Sequence, residues 1–371
     1  MNEKISSRQA ILLIMICRIV TILTIMPIIY IEPANQDTWI VIIVSGFYTI
    51  LTSIPALFLS SRFNELNFIG YIKKIFGKII GKIIGFIYIL FYLRTTILYC
   101  YISIQMIRST FLPDTKASIT IIFLIVSCIY IASQGPIVLG RYTELFVPII
   151  LFFMLMFIFL GYKNIELNVL LPVYKDSTFW KINYGAIKLT YLFVDLSVLL
   201  MIGHKLEEPK ERWTIFVKSI IYSLVFILAT VIVTQGALGV EQSKHSNFPF
   251  LAYIRLISSY SIFERVESIY ILLWVFAMVI KITAYLNITN EGVKEIFKHK
   301  SKNLFLYIIG FFCILITFYF AEINPKSTEI INIKNLEYVY YFIHKTLIPL
   351  IAVLVYFIRR KTFESEENLQ G

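Results

Sequence analysis

The sequence predicts an all-α integral membrane protein of about ten transmembrane helices, forming one transmembrane domain over residues 1–371. Three observations lead there. Hydrophobic residues make up 58% of the chain and charged residues 15%, against roughly 45–50% and about 25% in ordinary soluble domains. Apolar runs of the length needed to cross a bilayer, about 20 residues, recur along the whole chain. Lysine and arginine concentrate in alternate connections, the pattern that sets orientation in a membrane.

Ten spans are read, at 9–31, 38–60, 82–109, 118–134, 142–162, 183–203, 213–239, 264–290, 304–320 and 338–358. The fourth and ninth are short. The third and eighth are long enough to tilt or to extend beyond the bilayer. Backbone groups at membrane depth must satisfy one another, so each span is read as a helix. The first run is too long for a signal peptide and lacks a small-residue cleavage site, so it reads as a retained helix. With the N-terminus inside, the inner segments carry 18 lysines and arginines, among them Lys73, Lys74, Lys78 and Arg212, and the outer loops carry 9. That bias places both termini in the cytoplasm. It also accounts for the net charge of +11 with no nucleic acid as partner.

Two connections read as structured. In 61–81, Phe63, Leu66, Ile69, Ile72, Phe76 and Ile79 recur at helical spacing against Lys73, Lys74 and Lys78. That is the pattern of an amphipathic helix lying on the inner leaflet. In 240–262, Phe250, Leu251, Ile254 and Ile257 mark a short interfacial helix, either an outer lid or a packed loop. Because five is odd, spans 1–5 (about 9–162) and 6–10 (about 183–358) enter the membrane from opposite sides, as inverted repeats do. This follows from topology, since the two halves share no convincing residue-level similarity.

Ionisable residues within the spans carry the chemistry. Each costs ~2.5–3.5 kcal/mol at mid-helix, so such residues turn toward the bundle interior. They are Arg18, Arg94, Arg108, Lys188, Asp195, Lys218, Lys281 and Lys345. Arg108, Lys188, Lys218 and Lys345 lie near span ends and are expected to snorkel to the surface. Asp195, Lys281 and Arg94 lie deeper and are expected to form a buried ionic network, with Lys281 paired to Asp195. Such a network either fixes helix register or senses a zwitterion, an ion or a proton. In span 1, Thr21, Thr24 and Pro27 weaken helical hydrogen bonding locally. The result is either a proline kink or a broken helix at a substrate site. The four cysteines sit in apolar runs without a C-x-x-C pair, and the four histidines are scattered. No metal, cofactor or enzyme activity is expected from such a set.

Several quoted segments carry a resemblance. They are Ile5-Ser6-Ser7-Arg8-Gln9, Ala34-Asn35-Gln36-Asp37-Thr38-Trp39, Ile75-Phe76-Gly77-Lys78-Ile79-Ile80-Gly81-Lys82, Leu170-Leu171-Pro172-Val173, Asn247-Phe248-Pro249, and Glu264-Arg265-Val266-Glu267 leading to Trp274 and Lys281. In this order, over nearly the whole chain, they resemble the B subunits of spore germinant receptors, an endospore germination permease family of the amino acid–polyamine–organocation superfamily. The resemblance implies a leucine-transporter-like 5+5 inverted repeat. It implies a nutrient sensor in the spore inner membrane, working with A and C subunits on small nutrients that are often amino acids. Superfamily relatives commonly carry glycine in the middle of span 1, where this chain has Val20 and Thr21. In span 6, Gly185 and Gly203 lie only toward the ends, so neither span has the composition of a fully unwound segment.

The expected function is a receptor subunit that binds a small molecule, an amino acid, between spans 1, 3, 6 and 8. Thr21 and Thr24 line span 1; Tyr191, Asp195 and Ser197 line span 6. Arg94 is placed to meet a ligand carboxylate, and Lys281 completes the set. An ion-coupled amino-acid transporter is the alternative, and it uses the same residues.

Overall fold

The computed structural model describes residues 4–26, 28, 31–260, 266–298, 303–323 and 336–359. Pro27, Glu264 and Arg265, named above, lie outside the described residues, as do Lys300, Lys302, Lys326, Lys334, Arg360 and Lys361, which are among the loop cations counted there. Nine helical stretches among the described residues are long and apolar enough to cross a membrane, and the 17-residue Ala117–Ser133 is a shorter apolar helix beside them. The chain is a multi-pass membrane protein. Phe47, Phe123, Phe152 and Phe159 project from the bundle, a surface suited to acyl chains and not to water.

In chain order the helices are α1 (Ser7–Thr24), α2 (Thr38–Arg62), α3 (Phe68–Phe76), α4 (Lys78–Thr110), α5 (Ala117–Ser133), α6 (Pro136–Leu160), α7 (Phe179–Leu192) and α8 (Leu196–Ile202). They continue as α9 (Arg212–Leu238), α10 (Val240–His245), α11 (Pro249–Tyr260), α12 (Val266–Phe297), α13 (Leu304–Phe318), α14 (Leu336–Phe342) and α15 (Ile348–Ile358). α13 runs on as a π-helical turn to Ile323, and a π turn, Ile343–Leu347, joins α14 to α15. The 32-residue α12 runs through the centre and packs against α1, α4, α5, α6, α11 and α13.

Local chemistry explains several boundaries. A reciprocal capping box opens α1: Gln9 N–H donates to the Ser6 hydroxyl, and Ser6 N–H donates to Gln9 Oε1, both at 3.2 Å. Such a box satisfies two of the orphan donors at a helix start. Gly77, at φ +85°, makes the turn between α3 and α4, a backbone region where glycine carries no Cβ penalty. Gly185 of α7 faces the Glu32 carbonyl so closely that a Cβ there has no room.

Two closures hold opposite faces of the bundle. On the face bearing the N-terminal segment, Ile5 pairs with the 205–207 backbone (Ile5 N–H to Lys205 O and Glu207 N–H to Ile5 O, each 2.9 Å). Ser7 donates to Glu211 at 2.6 Å, Gln9 to Glu144 at 2.9 Å, and Lys205 pairs with Glu291 at 2.8 Å. On the opposite face, two of the quoted segments meet across more than a hundred residues. Buried Asp37 accepts hydrogen bonds from Tyr174 N–H (2.9 Å) and the Ser177 hydroxyl (2.6 Å). Gln36 donates to Asp176 (2.9 Å) and to the Pro172 carbonyl (3.3 Å).

Two expectations need correction, the cover of the 61–81 helix and the continuity of span 6, and two are extended. The 61–81 connection holds a helix, but its apolar face does not lie on lipid: Phe68, Ile69, Tyr71 and Ile72 are buried against the bundle, and Lys73 pairs with Glu295. Ile79, expected on that same face, opens the next helix and is exposed. Arg212 is fully buried, donating to Ser60 Oγ (2.7 Å) and the Asn64 carbonyl (2.6 Å), so it is structural as well as a topology signal. Span 6 is not one helix: it breaks at Phe193, Val194 and Asp195 without glycine or proline. The 249–260 segment is a helix whose Phe250, Leu251, Ile254 and Ile257 are all buried, a packed element in this structure.

Candidate functional site

The regular part of α1 stops at Thr24, in the middle of the first predicted span, and Ile25 leaves helical geometry at φ −118°, ψ 77°. Its last turn is loosened as threonines allow: Thr21 Oγ1 donates to the Cys17 carbonyl (2.8 Å) and Thr24 Oγ1 to the Val20 carbonyl (2.6 Å). Such back-bonding competes with the helical ladder. α7 and α8 meet in the second interruption. Its exposed backbone groups find partners nearby, since a carbonyl at membrane depth has no water to turn to. Phe193 N–H and the Lys345 ammonium both donate to the Thr190 carbonyl, at 3.3 and 2.7 Å. Val198 N–H donates to the Asp195 carbonyl at 3.1 Å. A cation at the C-terminal end of a half-helix is electrostatically favoured.

Charged side chains fill the space between the two interruptions. Asp195, at the joint, pairs with Arg18 of α1. The guanidinium also donates to Ser223 of α9 at 3.3 Å and stacks 5.1 Å from the Phe193 ring. Lys281 of α12 donates to the Cys17 carbonyl at 3.0 Å and to the Thr21 hydroxyl, and its ammonium lies 3.6 Å from the Tyr99 ring centre. Trp274, about two turns before Lys281 on α12, donates its indole N–H to Thr24 Oγ1 at 3.1 Å. Thr21, Thr24, Asp195 and Lys281 are thus brought together, all buried.

The remaining expected residues divide. Ser197 of α8 lines a pocket bounded also by Phe68, Tyr88, Tyr92, His344 and Lys345. Tyr191 is buried, edge-on to Phe342 at 5.7 Å, and faces α14. Arg94 stands over the Tyr340 ring at 5.5 Å. The predicted Lys281–Asp195 pair does not form, because Arg18 occupies Asp195. Lys345 does not snorkel: it is buried at the α7–α8 joint. Arg18 was legible as a cation inside a span. Lys345 was not legible as a site residue, because its nearness to a span end suggested an escape route.

Residues 4–325 match the family described as spore germination protein. The chain belongs to the spore germination protein family. Among its relatives in Bacillus subtilis (strain 168), spore germination protein YndE is 22% identical over 81% of this chain and 83% of its own length. Spore germination protein KB is 23% identical over 99% of this chain and 98% of its own. Among solved structures, Mhp1, a nucleobase-cation-symport-1 family transporter in a closed conformation with bromovinylhydantoin bound, superposes with a TM-score of 0.64 at 11% identity. That match covers 92% of this chain and 79% of Mhp1. MhsT in complex with L-phenylalanine gives 0.60 at 14% identity, covering 96% of this chain and 99% of MhsT. These neighbours give the germination-family chain the leucine-transporter-like fold. A role in germination as receptor or permease follows from the family.

Proposed function

We propose that the chain is the nutrient-binding membrane subunit of a germinant receptor in the spore inner membrane. Both termini face the cytoplasm, and A and C subunits are its partners. Its ligand is a small molecule, an amino acid. The observation that carries this reading is the meeting of two interrupted helices around the Arg18–Asp195 pair, with Thr21, Thr24 and Lys281 beside it. Interrupted helices bring backbone groups to membrane depth, where a ligand can compete for them with their side-chain partners. A ligand that binds one arrangement of the joint better than another shifts the population, and partner subunits read that shift.

The test is germination of spores lacking this gene, followed as loss of refractility across amino acids, nucleosides and sugars. Loss of response to one nutrient class, reproduced by Thr21→Val at equal protein level, is the expected result. Normal germination in every nutrient contradicts the reading. A second reading, an ion-coupled amino-acid transporter, is favoured by one observation. The Lys281 ammonium bridges α1 and α12 through the Cys17 carbonyl and the Thr21 hydroxyl, as a bound cation would. Net uptake of an amino acid into proteoliposomes separates the two, because a sensor needs no flux.

A further inference from the structure

The interruption of span 6 and the π turn Ile343–Leu347 border a small internal cavity. It offers about 20 Å³ to the centre of a water molecule. One water needs roughly 10–15 Å³ by that measure, so the space admits one water-sized guest and nothing larger. Four polar side chains share its wall: Tyr92 of α4, Ser197 of α8, and His344 and Lys345 of the turn.

These groups have bonding capacity to spare. The buried Lys345 ammonium has three donors and gives one to the Thr190 carbonyl at 2.7 Å. His344 sets its Nδ1 2.7 Å from the Tyr340 carbonyl, which requires the proton on Nδ1. In the neutral ring Nε2 is then an acceptor, and it is buried without a hydrogen-bond partner. The Tyr92 hydroxyl is buried too, and Ser197 beside it is not set for a full hydrogen bond. Buried polar groups are almost always hydrogen-bonded, and stranding one at membrane depth is costly. The mix of groups identifies the guest. Lys345 only donates, His344 Nε2 only accepts, and the two hydroxyls do either. A halide ion would meet Lys345 and leave His344 unmet. A metal ion would meet His344 and face the ammonium. Water accepts from the one and donates to the other at the same time.

We propose that the cavity binds a single water molecule, which accepts a hydrogen bond from Lys345, donates one to His344 Nε2 and joins the Tyr92 and Ser197 hydroxyls. The water ties α4, α8 and the turn between α14 and α15 to one another at the interruption of span 6. It is a component of the joint and not cargo, so the inference holds for a receptor and for a permease alike.

The test is X-ray footprinting of the full-length protein in lipid nanodiscs, read residue by residue by mass spectrometry. Millisecond X-ray pulses split bound water into hydroxyl radicals, which oxidise the side chains that touch it. Tyr88, Phe91 and Tyr92 are buried on the cavity wall. They should be oxidised severalfold faster than Tyr253, which is as buried and is bonded to the Phe157 carbonyl at 2.9 Å. Photolysis of hydrogen peroxide makes the same radicals in bulk solvent, and peroxide is too large for the cavity, so this source should leave all four rings unmarked. Ala56→Val adds two methyl groups at the wall and should bring X-ray oxidation of Tyr92 down to the rate at Tyr253. A rate at Tyr92 in the unmodified protein no higher than at Tyr253 overturns the proposal. So does equal marking by the two radical sources, which means opening to bulk solvent, and so does X-ray marking that survives Ala56→Val. The two sources compared on the unmodified protein decide the matter even where Ala56→Val fails to fold.

Discussion

The same chemistry appears in the bundle core and on the N-terminal face, with different consequences. Arg18 and Asp195 are 1% and 4% exposed. Arg8 and Glu144, 3.7 Å apart, are 70% and 38% exposed, and Lys205 and Glu291 are 25% and 23% exposed. Breaking a buried pair strands a charge out of water and costs about 3–5 kcal/mol. An exposed pair contributes typically 0.2–1 kcal/mol. The comparison separates what the fold cannot release from what it can open and close repeatedly. The core pair ties α1 strongly to the joint, whereas the N-terminal closure is assembled from contacts weak enough to be exchanged.

The sharpest way to break this contrast is Asp195→Ala, which should destabilise the protein by about 3–5 kcal/mol in thermal or denaturant unfolding. The double variant Arg18→Met with Asp195→Leu should recover much of the loss, since the stranded charge is gone. A single variant no worse than a surface one would dissolve the distinction. Next comes Asp37→Ala, which removes the acceptor of the amide of exposed Tyr174 and the nearer acceptor of the buried Ser177 hydroxyl, leaving the latter only Asn35 Oδ1 at 3.4 Å. The expected loss is about 1–3 kcal/mol. Limited proteolysis should show earlier cutting in 171–178. Glu291→Gln should change the unfolding midpoint little, below about 1 kcal/mol, while exposing a cysteine introduced at Ile5 to thiol reagents. Smallest of all, added salt should speed amide exchange in 4–9 by screening the face pairs, with no change at Asp195.

Much of the architecture could be read before any coordinates, and the reasons are physical. Apolar runs are compulsory in lipid, so spans stand out wherever they occur. Thr21, Thr24, Asp195 and Lys281 were legible because polar groups in such runs must face protein. Their pairing was not legible: which cation meets Asp195 depends on the rotation of α1 and α12, and nothing along the chain encodes that rotation directly. The break in span 6 was missed for a related reason. It carries no glycine or proline, and its stability comes from tertiary partners, the Lys345 ammonium on the Thr190 carbonyl and Arg18 on Asp195. Lys345 itself was misjudged because distance along the chain to a span end says nothing about what packs around it. Helical spacing likewise found the apolar face of α3 but could not tell lipid from protein as its cover.

The central helix α12 has a mechanical consequence. Its 32 residues form a rod of about 48 Å at 1.5 Å per residue. The rod is gripped near its middle by α1 through Trp274 and Lys281, and near its end by Lys205 and Lys73 through Glu291 and Glu295. With the fulcrum at Lys281, the arm to Phe297 is roughly 24 Å long. A tilt of about 5° would carry its tip roughly 2 Å, enough to part a hydrogen bond. A molecule small enough to nestle among a few side chains would thereby gain leverage over the far rim of the protein, with the stiffness of a single helix supplying the amplification.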